Sequence, residues 1–147
     1  MGLDMYLNAE RYLWSHVDVD TQLSENIGQL VGLPADGRIK TITVEAGYWR
    51  KANQIHHWFV QNVQDGEDDC RSAYVSQEKL TELRELCQRA IDNPEQAHLI
   101  LPRTEGFFFG NKEYDQWYFE QLRDTIEVID NALAMPEQWE FNYTSSW

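Results

Sequence analysis

Both ends of the chain alternate apolar and polar side chains with a period of two. Leu3, Met5 and Leu7 are separated by Asp4 and Tyr6, and Trp139, Phe141 and Tyr143 by Glu140 and Asn142. That is the period of a strand with one buried face. A lone ribbon is marginal in water, so the closing strand is expected beside the opening one or beside the strand that follows it. The chain must therefore return to where it began, and whatever lies between has to cover the sheet.

Most of what lies between has the helical period. Asp20 is a candidate N-cap for a short helix carrying Leu23, Ile27, Leu30 and Val31 on one side, stopped by Gly32 and Pro34. After the turn pair Asp36-Gly37, residues 38–46 read as a second strand, with Ile42 and Val44 facing one way, Thr41 and Thr43 the other, and Gly47 as its end. A helix is expected over about 50–63, where Ala52, Ile55, Phe59 and Val63 share a face. Residues 64–69 read as an unpacked acidic surface loop. Ser76 suits the N-cap of a helix with Leu80, Leu83, Cys87, Ala90 and Ile91 inward, ending at Asn93-Pro94. In the last helix Tyr118, Leu122, Ile126, Ile129 and Leu133 form the stripe, and Pro136 closes it. The expected fold is a single α+β domain over residues 1–147: a small, mostly antiparallel sheet of about three strands, covered on one face by three to four helices.

Charge narrows the function classes. The chain has 25 acidic and 12 basic residues, a formal net charge of -13. Phosphate contacts need Lys and Arg, and anionic lipids repel such a surface, so direct nucleic-acid binding and membrane association are both disfavoured. The longest apolar runs, such as Leu99-Ile100-Leu101, are far too short to span a bilayer, and no secretory signal is read at the start. Cys70 and Cys87 have no metal or redox spacing and read as reduced thiols of a cytoplasmic protein.

The imbalance is uneven. Residues 1–64 carry seven acidic and five basic side chains, and residues 65–147 carry eighteen and seven, so the net is -2 against -11. Glu113, Glu120, Asp124 and Glu127 recur opposite the last helix's apolar stripe, Glu78, Glu82 and Glu85 do so on the helix before, and the 65–69 loop adds four carboxylates. These groups are either a solvated surface or a docking face for a basic protein surface, one that normally holds nucleic acid included, since opposite charge speeds association. The loop lacks the D-x-D-x-D-G order of a calcium site.

A second candidate lies in the segment Glu45 to Phe59. Read as helix, Arg50, Asn53 and His57 share one face, where a guanidinium, an amide and an imidazole could hold a small anionic metabolite or nucleotide. Tyr48 and Trp49 would wall that site, with Phe108 from the Gly106–Gly110 run as a further ring. The alternative is that Trp49, Trp58 and Phe59 are core and the polar groups make ordinary bonds. His56 and His57 diverge by about 100° on a helix and make a poor metal pair. The three rings of the Gly106–Gly110 run are either a buried plug or a ligand wall. No G-x-S-x-G elbow, phosphate-cradling Gly-rich loop with Lys, or H-E-x-x-H is present, and no spacing pairs Cys70 with His57. No cofactor or metal is expected, and an enzyme is the less favoured reading.

The segments Gly2-Leu3-Asp4-Met5-Tyr6-Leu7, Gly47-Tyr48-Trp49-Arg50-Lys51-Ala52-Asn53 with His56 and Trp58-Phe59, and Leu101-Pro102 with Gly106–Gly110 and Tyr114-Asp115 resemble those of a family of small phage and prophage proteins. The motifs are spread over nearly the whole chain apart from residues 18–33. The resemblance brings no catalytic residues with it. It implies a virus-encoded accessory protein in the bacterial cytoplasm, of the sort that occupies a host protein as a counter-defence inhibitor or nucleic-acid mimic. The expectation is thus a non-enzymatic binder of a host protein. The Arg50/Asn53/His57 pocket, binding or hydrolysing a small anion, is the alternative, and self-association is left open.

Overall fold

The two alternating ends do form strands, and they lie side by side. The computed structural model describes residues 2–105 and 112–147. In chain order the elements are β1 (Asp4–Tyr12), α1 (Asp18–Val31), β2 (Thr41–Arg50), α2 (Asn53–Val63), β3 (Ala73–Val75), α3 (Gln77–Asp92), a 3-10 turn (Pro94–Gln96), α4 (Ala97–Ile100), α5 (Gln116–Leu133) and β4 (Glu140–Ser146). The sheet order is β2-β1-β4-β3 with every pairing antiparallel. β1 is central, running from Asp4↔Ser146 to Glu10↔Glu140 against β4. The fourth strand, β3, is three residues long and too short to carry a period of its own.

One face of β1 is Met5, Leu7 and Ala9, preceded by Leu3 and all fully buried, and it is continued by Phe141 and Tyr143 of β4. Ile55 and Phe59 of α2, Leu80, Leu83, Cys87 and Ala90 of α3, and Tyr118, Leu122 and Ile129 of α5 complete one core. Burial pushes the Cys87 thiol up to about 12, so it packs as a small apolar group. Among the described residues no helix is long and apolar enough to cross a membrane.

Three local expectations change. Gly47 does not end the second strand; it sits inside β2, where the pairing with β1 shifts at Leu7/Asn8. A Cβ there would lie 2.3 Å from Val128 Cγ1 of α5. The glycine marks a bulge and a close helix approach, both usual reasons for glycine within a strand. β2 therefore runs on to Arg50, and Lys51, at φ 54°, turns the chain into α2.

The acidic loop lies at the surface as expected at Asp65, Glu67 and Asp69, but its first residue is anchored inside. Gln64 is fully buried, with its amide donating to Arg71 O at 2.7 Å. The Arg71 guanidinium gathers Glu67 (3.3 Å), Asp65 (3.6 Å) and Asp69 (3.7 Å), so three of the loop's four carboxylates share one cation.

Finally, Asp20 lies inside α1 and is not its cap. It accepts from Trp14 N at 3.0 Å and from Arg11 at 2.9 Å. α1 buries Asp20, Ser24 and Gly28 and leaves Leu30 and Val31 exposed.

Candidate functional site

Helix geometry places the carboxylates. With 3.6 residues per turn, Glu120, Asp124 and Glu127 fall in one narrow arc of α5, opposite Tyr118, Leu122, Thr125 and Ile129, which are buried. Glu78, Glu82 and Glu85 form a similar arc on α3, opposite Leu80, Leu83, Cys87 and Ala90. Glu113 precedes α5 and belongs to neither row. α3 and α5 pack side by side. Their seam carries a fork, Arg84 Nε and a terminal guanidinium nitrogen donating to the two oxygens of Asp130 at 2.5 and 3.0 Å. That bond holds the Asp130 carboxyl below its usual range. The acids thus form one outward row on each helix, and the Arg84–Asp130 ion pair joins the two helices. Lys79 neutralises Glu82 at 2.8 Å, whereas Glu78, Glu85, Asp124 and Glu127 make no ion pair among the described residues.

The two sequence candidates meet at one point. A cleft of about 140 Å³ between β2 and α5 is lined by Tyr48, Trp49, Arg50, Ala52, Trp117, Gln121 and Asp124. Its outer walls are aromatic: Tyr48 is 44% exposed and Trp117 61% exposed. Its floor is braced by hydrogen bonds, the Trp49 indole donating to Thr125 Oγ1 at 2.9 Å and the Gln54 amide donating to Gln121 Oε1 at 2.9 Å. Tyr48 is held from the other side, its hydroxyl donating to Asp4 at 2.5 Å and its ring lying 5.4 Å from that of Tyr6. Such an amphipathic ring on a fixed base is a suitable partner anchor.

Asn53 and His57 lie four residues apart on α2, whereas Arg50 ends β2 on the far side of the turn at Lys51. Arg50 is the last residue of β2, exposed, with Nε 3.9 Å from Asp4. Asn53, first in α2, is fully buried and accepts from Thr104 N at 3.2 Å. His57 is half-buried, and burial, helped by His56 beside it, lowers its pKa. Phe108 and the Gly106–Gly110 run lie outside the described residues.

Sequence reasoning missed a polar chain through the core. The imidazole of His56 is 2.7 Å from the Tyr143 hydroxyl through Nδ1 and 2.9 Å from Asp68 Oδ2 through Nε2. Asp68 also accepts from the Trp147 indole at 3.0 Å, and Tyr143 stacks on Phe59 with centroids 3.9 Å apart. With His56 and Tyr143 buried, the chain ties α2, the acidic loop and β4 together. Its only sequence signal is an apolar-period helix that places a histidine on its inner side. Among the described residues no group of His, Cys, Asp and Glu could hold a metal ion. Compared with protein-family models, curated proteins and solved structures, the chain finds no match.

Proposed function

We propose that this chain is a phage-encoded, non-enzymatic accessory protein of the bacterial cytoplasm that binds a basic surface of a host protein. The contact is the outward face of α5 together with the Tyr48/Trp117 cleft. Asp124 carries this reading: it belongs both to the unpaired acidic row and to the lining of the aromatic cleft. The row attracts a basic surface at long range and raises the association rate. The cleft supplies what charge alone lacks, a place for one partner side chain to be desolvated between two rings. A counter-defence inhibitor or a nucleic-acid mimic would work this way, with carboxylates standing where phosphates normally lie.

The anionic-ligand reading has less support, because Asn53 is fully buried and already accepts from Thr104 N, and burial lowers the pKa of His57, which disfavours its cationic form. The test is capture of the host partner from bacterial lysate, followed by measured affinity. Affinity falls as salt rises, because the exposed charges are screened. Glu120, Asp124 and Glu127 changed together to Lys abolish binding, and Trp117→Ala weakens it with no change in its salt dependence. Since all four residues face outward, circular dichroism stays unchanged. Affinity indifferent to the triple reversal refutes the assignment of this face.

A further inference from the structure

α1 is amphipathic, but its apolar arc is not centred on the arc it buries. On a helix of 3.6 residues per turn, Val19, Leu30, Leu23, Ile27 and Val31 follow one another around a third of the circumference, and the buried Asp20, Ser24 and Gly28 occupy the arc beside them, overlapping only at the Val31 edge. Leu30 is 86% exposed, Val19 68% and Val31 62%. Polar bonds set this orientation. Asp20 is held by Arg11 and Trp14 N. The Ser24 hydroxyl accepts from Ile39 N at 2.9 Å and donates to Ile39 O at 3.3 Å, tying the helix to the chain entering β2. Gly28 O accepts from Leu33 N at 2.9 Å. Exposed Trp14, Val17 and Leu33 lie in the chain flanking the helix.

We propose that this arc is a homodimer contact, two copies of the chain pairing their α1 helices antiparallel about a two-fold axis. Charge selects the occupant. Asp18 and Glu25 lie on the side of the helix opposite the arc, and Asp20 is paired with Arg11. The arc offers a basic partner no unpaired carboxylate, and an anionic bilayer would be repelled by a net charge of -13. A second copy, equally negative, meets least repulsion where carboxylates are paired or turned away, as Asp20, Asp18 and Glu25 are around this arc. The spacing is self-complementary as well. An axis between Ser24 and Glu25 sets Val19 against the partner's Leu30 and puts Leu23 and Ile27 level with the partner's Asn26 and Gln22, an isologous contact. A polar residue at one seam position is a familiar register device. The helix has 14 residues, so the seam is about 21 Å long. That falls short of the roughly 800 Å² per partner of a standard interface, so the dimer is reversible and concentration-dependent.

The experiment is sedimentation equilibrium of the full chain from low to several hundred micromolar, at low and at moderate salt. The mass rises from 17.4 kDa toward twice that value. Added salt strengthens the dimer by screening repulsion between two acidic chains, the opposite of the salt dependence expected for a basic host partner. Leu30→Asp keeps the circular dichroism spectrum, being an exposed site, and holds the chain monomeric. Asn26→Leu tightens the dimer about tenfold by replacing the polar seam position with an apolar one. A mass that stays monomeric throughout, or a dimer indifferent to both substitutions, overturns the proposal; a persistent monomer would leave the arc to a different protein.

Discussion

α1 and α5 carry the same kind of apolar stripe and put it to opposite use. In α5, Tyr118, Leu122 and Ile129 are fully buried against the sheet, and the helix starts at a built cap, Asp115 accepting from Tyr118 N at 3.1 Å. In α1 no side chain caps the start, the buried residues are polar or small, Leu23 and Ile27 are half-buried, and Val19, Leu30 and Val31 look outward. α5 is oriented by shape, with Gly47 letting it close on β2. α1 is oriented by two polar anchors between Arg11 and Ile39. Periodicity therefore states which residues share a face, and long-range bonds decide what that face meets.

The widest separation between the two helices is in stability. Leu122→Ala removes fully buried methyl groups and is expected to cost about 2–5 kcal/mol in urea unfolding. Leu30→Ala, measured at dilution where the chain is monomeric, is expected to cost less than about 0.5 kcal/mol. Equal losses would mean that α1 packs its apolar arc as α5 does. A smaller effect tests the close approach. Gly47→Ala inserts a Cβ where Val128 already stands and is expected to cost about 1–3 kcal/mol by overpacking. Combining Gly47→Ala with Val128→Ala should recover part of that loss, because the obstructing methyl group is gone; no recovery would place the strain elsewhere in the bulge.

Much of the fold was legible in the sequence because its signals were local and repeated. Alternation named β1 and β4, Ser76 named the start of α3, and the stripe through Leu122 named α5. What was lost depended on groups distant in the chain. Gly47 reads as a break until α5 is seen to lie on it. Asp20 reads as a cap until Arg11 and Trp14 N are seen to hold it. Arg50 reads as helical because the helix pattern of Ala52, Ile55 and Phe59 extends backward without a marker, and only the turn at Lys51 separates strand from helix. The same limit applies to the candidate site. Asp124 was named from its row, but its neighbours in the cleft, Tyr48 and Trp117, are 76 and 7 residues away. His56 was set aside as half of a poor metal pair, whereas its partners, Asp68 and Tyr143, come from a loop and a strand that no helix spacing brings near.

The smallest effect, and the most local, lies at the anchor itself. The N–H of Trp14, with the guanidinium of Arg11 adding to it, holds the Asp20 carboxyl below its usual range, against the opposing influence of burial. A carboxyl depressed in the folded chain contributes stability that is fully present above its unfolded value, about 3.9, and that is lost as pH falls through the lower folded value. The amide resonance of Trp14 should therefore shift with a midpoint below about 3.9, while the amides of Leu7 and Leu122 stay in place over the same range. α1 then loosens from Arg11 and Trp14 at the end of β1 while the sheet and α5 remain folded. Asp20→Asn removes the titration and leaves Trp14 N an uncharged acceptor, so the variant should show no acid step at this amide. A Trp14 midpoint at or above the ordinary carboxylate value would mean that Asp20 is not what fixes the helix, and Ser24 alone would have to account for its orientation.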